Sequence, residues 1–104
     1  YPTPIGELQT LFGDEYDRAY YPPGVARQLG AVLAGGDHRA LLTTITCPTV
    51  VLHGSDDPLL LPACARDVAE HIAGAQLRLI DGMGHDFPAA LTRVFADALC
   101  AAAR

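Results

Sequence analysis

Two short apolar runs constrain the fold of this chain more than anything else in it. Thr49-Val50-Val51-Leu52, bounded by Pro48 and Gly54, and Gln76-Leu77-Arg78-Leu79-Ile80, followed by Asp81-Gly82, both read as strands. The first is apolar and β-branched without alternation, as expected of a strand covered on both faces. Between them Pro62 suits the first turn of a helix, where its missing N–H costs nothing. That helix is expected to run to about Ala73, because Ala65, Val68, Ala69 and Ile72 recur at i, i+3, i+4 and i+7 and Gly74 then ends it. A last helix begins near Pro88, with Leu91, Val94, Phe95, Ala98 and Leu99 on one face, and fades into Ala101-Ala102-Ala103. Strand, helix, strand, helix implies two parallel strands joined by a right-handed crossover, an α/β fold.

Two parallel strands do not make a finished sheet. Parallel sheets need helices on both faces and more strands than these, and the first strand keeps an unpaired edge unless something else supplies its neighbour. The 104 residues suit one domain at most, and the start at Tyr1 rather than Met leads us to expect a cleaved or truncated product. Residues 1–23 are expected to be irregular, with any helical pieces kept short by Gly6, Gly13 and the Pro22-Pro23 pair. A helix is expected from Gly24 to Ala34, with Val25, Leu29, Val32 and Leu33 on one face and Gly35-Gly36 closing it. Asp37 is placed to cap a short helix through Leu42.

Charge excludes some classes of function. The net charge of −5, with seven Arg and no Lys, offers no clustered positive face for nucleic acid and no basic amphipathic helix for an anionic membrane. No apolar run reaches the roughly 20 residues of a membrane span, and no signal peptide opens the sequence. Cys47, Cys64 and Cys100 form no CxxC, so they are expected to be reduced thiols packed as small hydrophobes in a cytoplasmic setting.

Chemistry is expected where open α/β sheets place it, in the loops at the carboxyl ends of the strands. His53-Gly54-Ser55-Asp56-Asp57-Pro58 follows the first strand, and Gly82-Met83-Gly84-His85-Asp86 follows the second. A parallel crossover returns the chain to the same edge, so Asp57 and His85 can approach one another. A carboxylate beside an imidazole fixes its tautomer and stabilises the imidazolium, which is two thirds of a nucleophilic triad. Taken singly, Asp57 also reads as a turn former before Pro58, and His85 as a surface residue. His53, Asp57 and His85 form a weak alternative as metal ligands, with no local spacing that fixes their geometry. His53 otherwise bonds within its loop, and His71 is expected to be solvated on its helix.

With these motifs the sequence resembles the C-terminal part of the α/β-hydrolase fold family, of the esterase and lipase type that includes anthracycline methylesterases. The likeness rests on Pro48-Thr-Val-Val-Leu-His-Gly-Ser-Asp-Asp-Pro58, Pro62 and Gly82-Met-Gly-His85, within residues 39–103. The resemblance implies that Asp57 is the acid after the family's seventh strand and His85 the general base after its eighth, with Asp56 a weaker candidate for the acid. It further implies that residues 1–38 are the end of a helical cap and 39–104 the last two strands and helices of the hydrolase core. If so, Phe12, Tyr16, Tyr20 and Tyr21 line a hydrophobic pocket; otherwise they pack an irregular segment.

The family's nucleophile elbow, G-x-S-x-G, and its HG-type oxyanion loop are missing from this sequence. Its lone serine, Ser55, follows the strand that carries the acid, and so reads as a loop or cap residue. Cys64 and Cys100 fall in expected helices, where no elbow exists. The implied function is therefore the supply of acid and base to a serine hydrolase acting on a carboxylic ester of a small hydrophobic molecule. The serine would come from an N-terminal chain or fragment carrying G-x-S-x-G, and no cofactor or metal is implied. Dehalogenase, epoxide hydrolase and perhydrolase chemistries share the fold, and a non-catalytic fragment that binds a partner is the reading from another class.

Overall fold

A computed structural model describes all of residues 1–104, which separate into two compact units: Pro2–His38, and Arg39–Arg104 with Tyr1. In the first unit, α1 spans Ile5–Ala19 and α2 spans Pro22–Gly35. The 15-residue α1 corrects the expectation of an irregular segment over residues 1–23. The prolines bracket the helix instead of interrupting it. Pro4 precedes its first turn, Pro22 opens α2 at a position that needs no N–H, and Gly24 bonds back to the Tyr21 carbonyl at 2.9 Å. Gly6 and Gly13 each cost about 1 kcal/mol relative to alanine, which weakens a helix without ending it. Glu7 in the first turn and Arg18 in the last complement the helix dipole. Neither helix buries a residue: the Val25, Leu29, Val32 and Leu33 face of α2 is exposed, as are Phe12, Tyr16, Tyr20 and Tyr21, with Tyr16 and Tyr20 stacked at 4.4 Å.

The second unit is the βαβα arrangement. After the short α3 (Arg39–Leu42) come β1 (Val50–Gly54), α4 (Pro62–His71), β2 (Gln76–Ile80), a 3-10 turn (Ala89–Leu91) and α5 (Thr92–Ala102). β1 and β2 pair in parallel, from Val50 opposite Gln76 to Gly54 opposite Ile80, and together form a two-stranded sheet. α4 packs on both strands, α5 packs on β1, and α3 packs on α4 with an Arg39–Asp67 pair at 3.0 Å. The core is small: Ala65, Ile72, Met83, Leu91 and Ala98 are its buried apolar residues. Ala65 comes from the stripe on α4 that the sequence predicts, whereas Ile72, expected within the helix, is buried just past its end at His71 in extended backbone, so α4 stops short of the expected Ala73. Leu99, expected on the inner face of α5, is exposed and borders an open apolar hollow of about 250 Å³ with Val50, Leu52, Phe87 and Phe95. The three cysteines are free and exposed, which corrects the expectation that they pack inside. His71, expected to be solvated, lies partly buried with its Nδ1 2.7 Å from the Asp67 carbonyl one turn earlier. No helix is long and apolar enough to cross a membrane.

Candidate active site

The parallel pairing of β1 and β2 delivers both post-strand loops to one edge. The loops are joined there by a short set of bonds. The Ser55 N–H donates to the Ile80 carbonyl at 2.9 Å, and the Asp56 N–H donates to the Met83 carbonyl at 3.0 Å. The Ser55 hydroxyl accepts the Gly82 N–H at 2.9 Å and donates to Asp56 Oδ1 at 2.8 Å. Gly82 holds φ +72°, a left-handed conformation that a Cβ would strain, and so turns the chain sharply after β2. At the end of β1, Gly54 is buried directly beneath this second loop. A Cβ there would lie 2.6 Å from the Gly84 carbonyl oxygen and nearer still to that of Met83. Only glycine lets the loop carrying His85 come so close.

Asp57 is the one charged side chain in the interior, 6% exposed. Its Oδ1 accepts two backbone N–H groups, from Leu59 at 2.8 Å and Leu60 at 2.9 Å, in the turn that an Asp-Pro sequence favours. Its Oδ2 accepts the His85 Nδ1–H at 2.7 Å, within the short range of a charge-assisted bond. Burial alone raises the Asp57 pKa. The Leu60 N–H, the His85 ring, the Leu59 N–H and the charge of His85 when protonated outweigh it, holding Asp57 down from 3.8 to about 2. Asp57 is therefore ionised at neutral pH. With Nδ1–H committed to that carboxylate, His85 carries its free lone pair on Nε2, on a side chain that is 49% exposed. An oriented base with an accessible nitrogen is what the arrangement offers chemically. Beside it lies a hollow of about 160 Å³ bordered by Leu52, Met83, Gly84 and Phe87.

The structure thus brings together the two residues that the sequence singles out, Asp57 and His85. Asp56, the weaker candidate for the acid, is exposed and accepts from Ser55 instead. Ser55 lies between the loops with its hydroxyl bonded to its neighbours, and no bond joins it to His85. No group of three or more His, Cys, Asp or Glu side chains is arranged to hold a metal ion. His53 and His85 both approach the same Asp57 oxygen, so the carboxylate stands between the rings as a hydrogen-bond acceptor. Sequence reasoning gives His53 little weight, and its position beside Asp57 has no spacing signal beyond i, i+4 at a strand end. The two N–H groups on Oδ1 do have one, the Asp-Pro dipeptide after a strand.

Fold and site together define an α/β segment with an acid–base pair at the carboxyl end of parallel strands. Comparison with known proteins narrows this further. The rhodomycin D methylesterase DauP of Streptomyces sp. (strain C5) is 38% identical over 65 residues, and the rhodomycin D methylesterase DnrP of Streptomyces peucetius is 37% identical over 65 residues. Each match covers 62% of this chain and 22% of the relative, so the chain spans about a fifth of the length of the curated relatives it matches. No protein-family model matches the sequence. The likeness is to enzymes named as methylesterases, which supports a hydrolase segment at that coarse level.

Proposed function

We propose that this chain is the C-terminal segment of a serine α/β-hydrolase that cleaves a carboxylic ester of a small hydrophobic molecule, with Asp57 as the triad acid and His85 as the general base. The observation that carries the proposal is the 2.7 Å bond from His85 Nδ1 to a buried, ionised Asp57 at the carboxyl end of two parallel strands. Neither Ser55, which is bonded into the loop junction, nor any of the exposed cysteines bonds to His85. The serine is therefore supplied by a G-x-S-x-G segment outside these 104 residues, which also supplies the oxyanion donors. Its hydroxyl attacks the ester carbonyl while His85 Nε2 takes the proton. Asp57 stabilises the resulting imidazolium, which then protonates the leaving alcohol, and water resolves the acyl-enzyme by the same route. The names of DauP and DnrP favour a methyl ester as the bond cleaved.

The apolar surface supports an assembly of this kind. Val50, Leu52 and Leu99 border an open hollow beside β1, and β1 pairs with one neighbour only. Further strands and helices of the same sheet would cover these groups. The test is turnover of p-nitrophenyl and methyl esters by the protein together with its G-x-S-x-G segment. His85→Ala should lower kcat by more than about 10⁴-fold with the assembly still folded. Undiminished turnover would remove His85 from the mechanism.

A further inference from the structure

We propose that His53 is a positioning residue for this pair: its ring anchors the Asp57–Leu60 turn and thereby aims Asp57 at His85. The proposal rests on the reading of Asp57 and His85 as acid and base, and its geometry is independent of which ester is cleaved. His53, the next-to-last residue of β1, has a side chain that is 13% exposed, and its Nε2 lies 2.8 Å from the Leu60 carbonyl oxygen. A carbonyl only accepts, so Nε2 carries the proton and Nδ1 is bare in the neutral ring. The same Nε2 lies 3.5 Å from Asp57 Oδ2, the oxygen that binds His85.

Leu60 is the residue whose N–H holds Asp57 Oδ1, so the residue that fixes the carboxylate is itself fixed by His53. The turn is otherwise closed by the Leu59 and Leu60 N–H bonds to Asp57 itself. Leu59, Leu60 and Leu61 are 69%, 48% and 65% exposed, so their side chains do not pack the turn down. Without the His53 anchor the turn opens more readily, because only those two bonds still close it. The carboxylate then loses the two N–H groups that set its orientation, and His85 loses the acceptor that selects its Nδ1–H tautomer. A merely space-filling His53 would be replaced equally well by an apolar ring of similar size. An anchoring His53 would be replaced only by a side chain that can still donate to Leu60.

The experiment is 15N-histidine NMR of the full chain at mildly alkaline pH, which reports the protonated nitrogen of each neutral ring. In the unmodified protein we expect His53 as the Nε2–H form and His85 as the Nδ1–H form. His53→Phe should cost His85 its Nδ1–H majority while the β1 and β2 amide signals persist. His53→Gln, whose amide can donate to Leu60, should restore it. A His53 found as Nδ1–H in the unmodified protein overturns the proposal without any variant. So does a His85 tautomer unchanged in His53→Phe, or one that His53→Gln fails to restore with the sheet signals intact. The readout is a ring proton, so it fails separately from the hydrolase reading, which ester turnover by His85→Ala decides.

Discussion

Replacing Gly54 with alanine tests how closely the loops carrying Asp57 and His85 must approach. The added Cβ would lie well inside contact distance of the Met83 carbonyl oxygen, and 2.6 Å from both the Met83 carbonyl carbon and the Gly84 carbonyl oxygen. All three are backbone atoms, so no side chain can swing away. To bring the 2.6 Å contacts out to 3.4 Å the loop must retreat by about 0.8 Å, and the Met83 oxygen must move further. That shift breaks the 3.0 Å bond from the Asp56 N–H to the Met83 carbonyl, worth about 1 kcal/mol, and adds overpacking of roughly 1–3 kcal/mol. His85 lies two residues beyond Met83, so its 2.7 Å bond to Asp57 stretches with the loop. A displacement of about 1 Å at a reacting group costs on the order of 10²-fold in rate. Urea unfolding should show a loss of roughly 2–4 kcal/mol for Gly54→Ala, and ester turnover should fall about 10²-fold. Gly30→Ala on α2, where a Cβ meets nothing, is the matched control and should do neither. Unchanged stability and turnover in Gly54→Ala would refute the close-approach argument.

Four further outcomes are expected. Asp57→Asn keeps the volume but removes the charge and allows the wrong His85 tautomer, so kcat should fall about 10⁴-fold in steady-state kinetics with KM little changed. Because the folded-state pKa of Asp57 lies below its ordinary value, its contribution to stability is complete above pH 3.8. It is lost as pH falls through about 2, so urea midpoints should decline over that window and the decline should flatten in Asp57→Asn. Ser55→Ala leaves the Gly82 N–H without its acceptor and should cost about 1 kcal/mol by chemical denaturation. Gly13→Ala, at an open position in α1, should stabilise that helix by about 1 kcal/mol, seen as slower amide exchange from Ile5 to Ala19.

Much of the second unit is legible in the sequence because its signals are local. The run Val50–Leu52 has no polar residue to alternate, Pro62 marks the start of α4, and Ala65, Val68 and Ala69 at i, i+3 and i+4 mark its inner face. The approach of Asp57 and His85 follows from the parallel crossover alone. What local signals miss is context. The length of α1 depended on prolines standing at its boundaries and on glycines that weaken a helix without stopping it. The exposure of Leu99 and of the three cysteines depends on which surfaces have neighbours, which helical periodicity does not report. For His53 a bond within its loop is expected from the sequence and is found, but which group it meets was not legible. Its partner is a backbone carbonyl seven residues away, at Leu60, and main-chain acceptors leave no mark in a sequence. Gly54 reads as an ordinary strand terminator until the second loop is seen above it.

The central claim is that Asp57 and His85 activate a serine carried outside these residues. A fluorophosphonate probe, which labels activated serines, tests it most directly when the labelled peptide is identified by mass spectrometry. The account predicts a label within a G-x-S-x-G peptide that is lost in His85→Ala and strongly reduced in Asp57→Asn. A label on Ser55, or labelling that persists unchanged in His85→Ala, would contradict it.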